Sequence, residues 1–144
     1  MPKLTGIFAS FPDLERIPPE DIARWLKPNP GLELIGNYLG NRLLYPETIP
    51  VTQTDLAVEL AILREVVRRH PEKFQTPGKI FISNQLAERI GSLLDLTLAL
   101  IDVLQPKGTV EILLEGKSVG FATLGFPRDP IQIELMGKKY QFKR

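Results

Sequence analysis

The chain has no cysteine and a single histidine. Without cysteine there is no disulfide, no thiolate nucleophile and no thiolate-bound zinc, which fits a reducing compartment. A folded domain of 144 residues needs no such staple, because it should bury about 68–70% of the surface its unfolded chain exposes. The lone histidine excludes a His-rich metal site, and a Ser-His-Asp arrangement would have to use His70 beside Arg68 and Arg69 at a helix end. There a protonated imidazole suits the helix dipole, the simpler role. No run approaches the 18 or so apolar residues of a membrane span. The opening residues lack a long apolar stretch, and Asp13 and Glu15 interrupt them where a signal peptide would stay apolar. Excess charge is also missing: 18 basic against 17 acidic side chains leave a net +1, so no global field draws the protein to nucleic acid or lipid. The expected location is the cytoplasm, with no membrane contact.

What is present is ordinary for a soluble globular protein, 43% hydrophobic and 24% charged residues. A single domain over 1–144 is expected, with a proline-rich section over 1–50 and a helix-and-sheet body over 51–144. Prolines 12, 18, 19, 28, 30, 46 and 50 cut the first third into short pieces. In "PPEDIARWL" Pro19 opens a helix, Glu20 and Asp21 suit its first turn, and Ile22, Trp25 and Leu26 share a face. "GLELIGNYLGNRLLYP" fits a helix through Ile35, Leu39 and Leu43, but Gly36, Asn37, Gly40 and Asn41 favour a hairpin of two short strands. A helix over about 53–70 is predicted from a threonine cap, Asp55 in the first turn and the stripe Leu56, Leu60, Leu63 and Val67. Pro71 stops it, and "KIFIS" reads as a strand. In the last third, Val110, Ile112 and Leu114, then Val119 and Phe121, then Ile131, Ile133 and Leu135, then Tyr140 and Phe142 alternate at period two. "EGKS", "GFPRDP" and "MGKK" supply the reversals, which predicts a four-stranded antiparallel meander with one face in need of apolar cover. No internal repeat or low-complexity tract is evident.

The stretch "SNQLAERIGSLLDLTLALIDVLQPKG" reads two ways. Leu86, Ala87, Ile90 and Gly91 resemble the first helix and turn of a helix-turn-helix, and "KGTVEILLEGKSVGFATL" resembles the hairpin of a winged helix. The resemblance is to winged helix-turn-helix domains over 53–123. It implies a recognition helix over 93–105, a Lys117 wing and phosphate contacts from Arg68, Arg69, Lys117, Lys138, Lys139, Lys143 and Arg144. The chain departs from that family in carrying no basic residue, asparagine or glutamine from Ser92 to Leu104, although bases and phosphates are held by such side chains. The rival reading is one long apolar helix over about 84–104, with Leu86, Ile90, Leu93, Thr97, Leu100 and Leu104 on one stripe. Gly91 within it would cost about 1 kcal/mol. Its apolar residues cover more than one side, so the meander takes one face and the 53–70 helix or a second molecule the other.

Catalytic constellations are scarce. Asp95 and Asp102 lie two turns apart and read as a solvated stripe, the glycines match neither a P-loop nor a dinucleotide fingerprint, and nothing indicates a cofactor, a metal or a small-molecule ligand. In "GKKYQFKR" the aromatics Tyr140 and Phe142 fall on the opposite strand face from the lysines and read as core. The expectation is an α+β protein, with a winged helix as the alternative fold. Its expected role is a non-catalytic protein-interaction or adaptor module whose partner is another protein or a second copy, docking through Leu94, Leu96, Leu98 and Val103. The alternative role is nucleic-acid binding.

Overall fold

The computed structural model of the chain describes residues 17–45, 49–125 and 130–143; Arg144 and the centre of the "GFPRDP" connection lie outside them. Within these residues five helices lie with a six-stranded mixed sheet. The helices are α1 (Pro19–Ala23), α2 (Leu32–Leu44), α3 (Gln53–Arg69), α4 (Asn84–Ile90) and α5 (Leu93–Leu104). The strands are β1 (Gln75–Thr76), β2 (Lys79–Ile82), β3 (Gly108–Leu114), β4 (Lys117–Leu124), β5 (Ile131–Leu135) and β6 (Lys138–Phe142). Among the described residues no helix is long and apolar enough to cross a membrane.

α3 starts where expected: the Thr52 hydroxyl accepts the Asp55 N–H at 3.0 Å, supplying one of the partners that a first helical turn lacks. It is buried on more sides than one stripe provides. Val58, Ala61, Ile62 and Val66 are all inaccessible, as are Glu59 and Glu65. α3 packs against α5 on one side and against α1 and α2 on the other.

Two sequence expectations fail at glycines, in opposite directions. The hairpin expected around Gly36 and Gly40 is the helix α2, which buries Ile35, Leu39 and Arg42 at helical spacing. At Gly36 a Cβ would lie 3.5 Å from the Pro19 ring, an ordinary contact distance. The continuous helix over 84–104 is instead broken. Gly91 takes φ +77° and ends α4, and Ser92 begins α5 by accepting the Asp95 N–H at 3.1 Å. A left-handed glycine followed by a serine cap is a strong stop-and-start signal, and it outweighs the leucine stripe. α3 lies along α5 in the same chain, so the second face of α5 has an intramolecular cover.

The sheet is larger than the four strands expected. Consecutive strands from β3 to β6 pair antiparallel, β2 adds to β3 in parallel, and β1 pairs antiparallel with β2. β4 is therefore flanked by β3 and β5 rather than projecting as one arm of a free wing. The hairpins β3–β4 and β5–β6 also repeat one pattern. Ile112, Leu114, Gly116, Lys117 and Phe121 recur at a constant offset as Ile133, Leu135, Gly137, Lys138 and Phe142, a repeat that composition did not reveal. Both reverse through two residues with positive φ, Glu115–Gly116 and Met136–Gly137, the turn geometry that matches strand twist.

The two copies differ at one point. In β3–β4 the register shifts between Ile112, which faces Gly120, and Leu113, which faces Ser118. Val119 is therefore an extra, bulged residue, whereas β5–β6 pairs without interruption. An inserted residue changes the phase of the alternation beyond it. Gly120, Ala122 and Leu124 turn inward and Phe121 turns out, 46% exposed. The expected inward Phe121 is thus corrected by the bulge, while its counterpart Phe142 stays half-buried against the core.

Candidate docking face

The inner sheet face shares one core with the helices, through Ile80, Ile82, Ile112, Ala122, Ile133 and Leu135. The outer face presents rows of side chains that cross the strands. The central row follows the register from Lys79 to Glu111, Phe121, Glu134 and Lys139. On one side of it half-buried Phe81 pairs with Leu113, which is buried. On the other lie Thr109, Thr123, Gln132 and Gln141 in register, with the two threonine hydroxyls 3.1 Å apart. A depression of about 470 Å³ opens here, lined by Phe121, Thr123, Gln132, Glu134, Lys139 and Gln141 among others.

Phe121 has no aromatic partner on this face among the described residues, and Leu113 lies on the diagonal from it, within reach of an aromatic side chain. The row's charges fall as two cross-strand neighbours of opposite sign, Lys79 beside Glu111 and Glu134 beside Lys139. Among the described residues, these side chains take part in no ion pair. Other acidic groups of the body are already used. Glu115, at the first hairpin tip, accepts the Asn84 N–H at 2.8 Å and so ties the sheet to the start of α4. Asp102, exposed as the solvated stripe implies, also meets Arg64 at 3.0 Å and so ties α5 to α3.

The buried glutamates of α3 hold structural networks. Glu59, 1% exposed, receives the Arg42 guanidinium at 2.8 Å and the Tyr38 hydroxyl at 2.7 Å. Burial, reinforced by the Glu59 charge, pushes the Tyr38 phenol up, so it remains a donor. Glu65 receives Arg68 at 2.6 Å, Arg69 at 2.8 Å and the Trp25 indole N–H at 3.1 Å. Burial alone would raise its pKa; the hydrogen bonds from Arg68, Arg69 and Trp25 outweigh that and hold it at about 2. The same contact raises the Arg68 pKa. Neither network was visible in the sequence, because their acids look like the polar face of an amphipathic helix and the partners lie on other elements.

The residues expected to form a leucine interface are placed mostly inward. Leu96 is fully buried, and Leu94, Leu98 and Val103 are half-buried against the core. The residues expected to contact nucleic acid do not converge. Arg68 and Arg69 are held by Glu65, and Asp21 also takes Arg69 at 2.9 Å. Lys117 and Lys138 start strands at one end of the sheet, Lys139 is on the outer row, Lys143 lies beyond the opposite end of β6, and Arg144 is outside the described residues. His70 caps α3, its N–H on the Val66 carbonyl at 2.9 Å. Comparison of the chain with protein-family models, curated proteins and solved structures finds no match.

Proposed function

We propose that the protein is a non-catalytic interaction module that docks another protein on the outer face of its sheet. The observation that carries this is Phe121, turned out by the bulge at Val119 and 46% exposed between Glu111 and Glu134. An exposed aromatic rimmed by polar groups suits the anchor of a docking site. The carboxylates with the strongest local interactions, Glu59 and Glu65, are engaged by arginines, which supports a structural role for them over acid-base chemistry.

Self-association through this face is disfavoured by its own pattern. The central row reads lysine, glutamate, phenylalanine, glutamate, lysine from either end. A two-fold axis through Phe121, along the strands or along the row, sets glutamate against glutamate and lysine against lysine. The test compares partner retention on immobilised wild-type chain and on Phe121→Asp, after circular dichroism has shown that both are folded. Retention by the wild type alone is expected; equal retention by both overturns the proposal.

The second reading, nucleic-acid binding, draws on the turn at Gly91, which divides α4 from α5 in the manner of a helix-turn-helix. Against it, α5 has only acidic side chains, Asp95 and Asp102, to offer a polyanion.

A further inference from the structure

We infer that the free edge of β6 takes an added strand from another protein, an extended segment with acidic residues on its outer side and apolar ones on its inner side. β5 separates this edge from the strand that carries Phe121, and the inference does not rest on the docking function proposed above. Backbone geometry calls for a strand. The Met136 N–H bonds the Val119 carbonyl at 2.9 Å, and antiparallel pairing alternates from there. Glu134 and Gln132 thus bond toward β4, while Leu135, Ile133 and Ile131 bond toward Lys138, Tyr140 and Phe142 of β6. Lys139 and Gln141 are left with N–H and C=O groups pointing away from the sheet, and no other element among the described residues bonds them. Such an edge is a template for a further strand. The opposite edge strand, β1, has only two residues, whereas β6 runs Lys138–Phe142 without a proline or a bulge.

Side chains along the edge choose the strand. Lys138, Lys139 and Lys143 lie on or just beyond β6, which contains no acidic residue. None of these lysines takes part in an ion pair among the described residues, and Glu134 neighbours Lys139 only from the β5 side. Two-fold pairing of β6 with a second copy would gather both sets of lysines in one ladder, which like-charge repulsion opposes. An acidic strand meets the same lysines as counter-charges. On the inner side the half-buried rings of Tyr140 and Phe142 stack with centroids 6.4 Å apart. Beside Phe142 a groove of about 620 Å³ opens between Leu98 and Ile101 of α5 and Ile131 of β5, with Lys143 and the Arg64–Asp102 pair also lining it. An apolar residue of the added strand opposite Phe142 covers the exposed part of its ring and the groove beside it. Because side chains alternate along a strand, the bound segment is acidic where it faces Lys139 and Lys143 and apolar opposite Tyr140 and Phe142.

A selection tests this on the folded full chain, using displayed peptides of about seven residues, slightly longer than a typical strand. The expected binders alternate acidic and apolar residues. Methylating their backbone nitrogens at the alternate positions that face β6 should abolish binding, and methylating the intervening ones should leave it in place. Gln141→Pro removes an outward N–H while keeping the bonds to β5; it should weaken binding about tenfold or more with the circular dichroism of the wild type. Lys139→Glu/Lys143→Glu should reject the same peptides and accept versions whose acidic residues are made basic. Phe121→Asp should change none of this, which separates the edge from the outer face. An absence of binders, or binders indifferent to backbone methylation and to Gln141→Pro, overturns strand addition. Binders that ignore the lysine reversal overturn the acidic partner, as does sedimentation showing a dimer that Gln141→Pro makes monomeric, which assigns the edge to a second copy.

Discussion

Glu65 and Glu59 lie six residues apart on α3 and tie it to different parts of the N-terminal section. Glu65 reaches Trp25 beyond α1, and Glu59 reaches Tyr38 and Arg42 of α2. Because the Glu65 pKa falls from 4.5 to about 2 on folding, its stabilisation is complete above the unfolded value and drains away as the pH drops toward 2. Chemical denaturation across that range should show stability falling with acid, and Glu65→Gln should flatten the fall while costing about 2 kcal/mol at neutral pH, the scale of a charged hydrogen bond. The Arg42–Glu59 pair is more enclosed, each side chain 1% exposed. Arg42→Met or Glu59→Gln alone should therefore cost about 3–5 kcal/mol, by leaving a buried charge unpaired. Arg42→Met/Glu59→Gln should cost clearly less than the two single losses together, which a double-mutant cycle in urea would read.

Among the elements, glycine has opposite consequences in a helix and beside a bulge. At Gly40 in α2 an added Cβ meets nothing within 4 Å, whereas at Gly120 it would sit 1.8 Å from the Glu134 carbonyl oxygen of β5. Gly40→Ala should raise stability by up to about 1 kcal/mol through helix propensity. Gly120→Ala should lower it by about 3 kcal/mol, since the obstacle is backbone that only a shifted strand can clear; thermal melts of the two variants check both signs. Glycine is also where the sequence was hardest to read. α3 and the strand at Lys79–Ile82 were legible because caps, periodicity and a stopping proline agree. α2 was not, because Gly36 and Gly40 resemble turn residues, yet neither adopts a positive φ. The break at Gly91 had a visible signal, serine at 92 with aspartate three residues on, but the leucine stripe continued through it. The docking face was hidden for a different reason: a bulge adds one residue to the pairing without leaving a mark on the alternation, so Phe121 looked inward until the register to Glu111 and Glu134 was known.

For the whole molecule, charge distribution separates the two functional readings. Basic side chains are dispersed to opposite ends of the sheet or held by Glu65, and α5 shows none at all. Fluorescence anisotropy at low salt, where phosphate contacts are strongest, should detect no binding to duplex or single-stranded DNA or RNA; salt-sensitive binding weakened by Lys117→Glu and Lys138→Glu would favour the nucleic-acid reading. The leucines of α5 that suggested a partner are largely satisfied by the chain itself, Leu96 completely. The sheet face away from the helices keeps an exposed aromatic, Phe121, open to a partner. The most direct measurement is the ratio of Kd values of Phe121→Asp and the wild type for the partner that the wild type retains. A central aromatic anchor is worth about 2 kcal/mol or more, so the predicted ratio is about 30 or higher. A ratio near one, with both proteins folded, would contradict docking on the outer face.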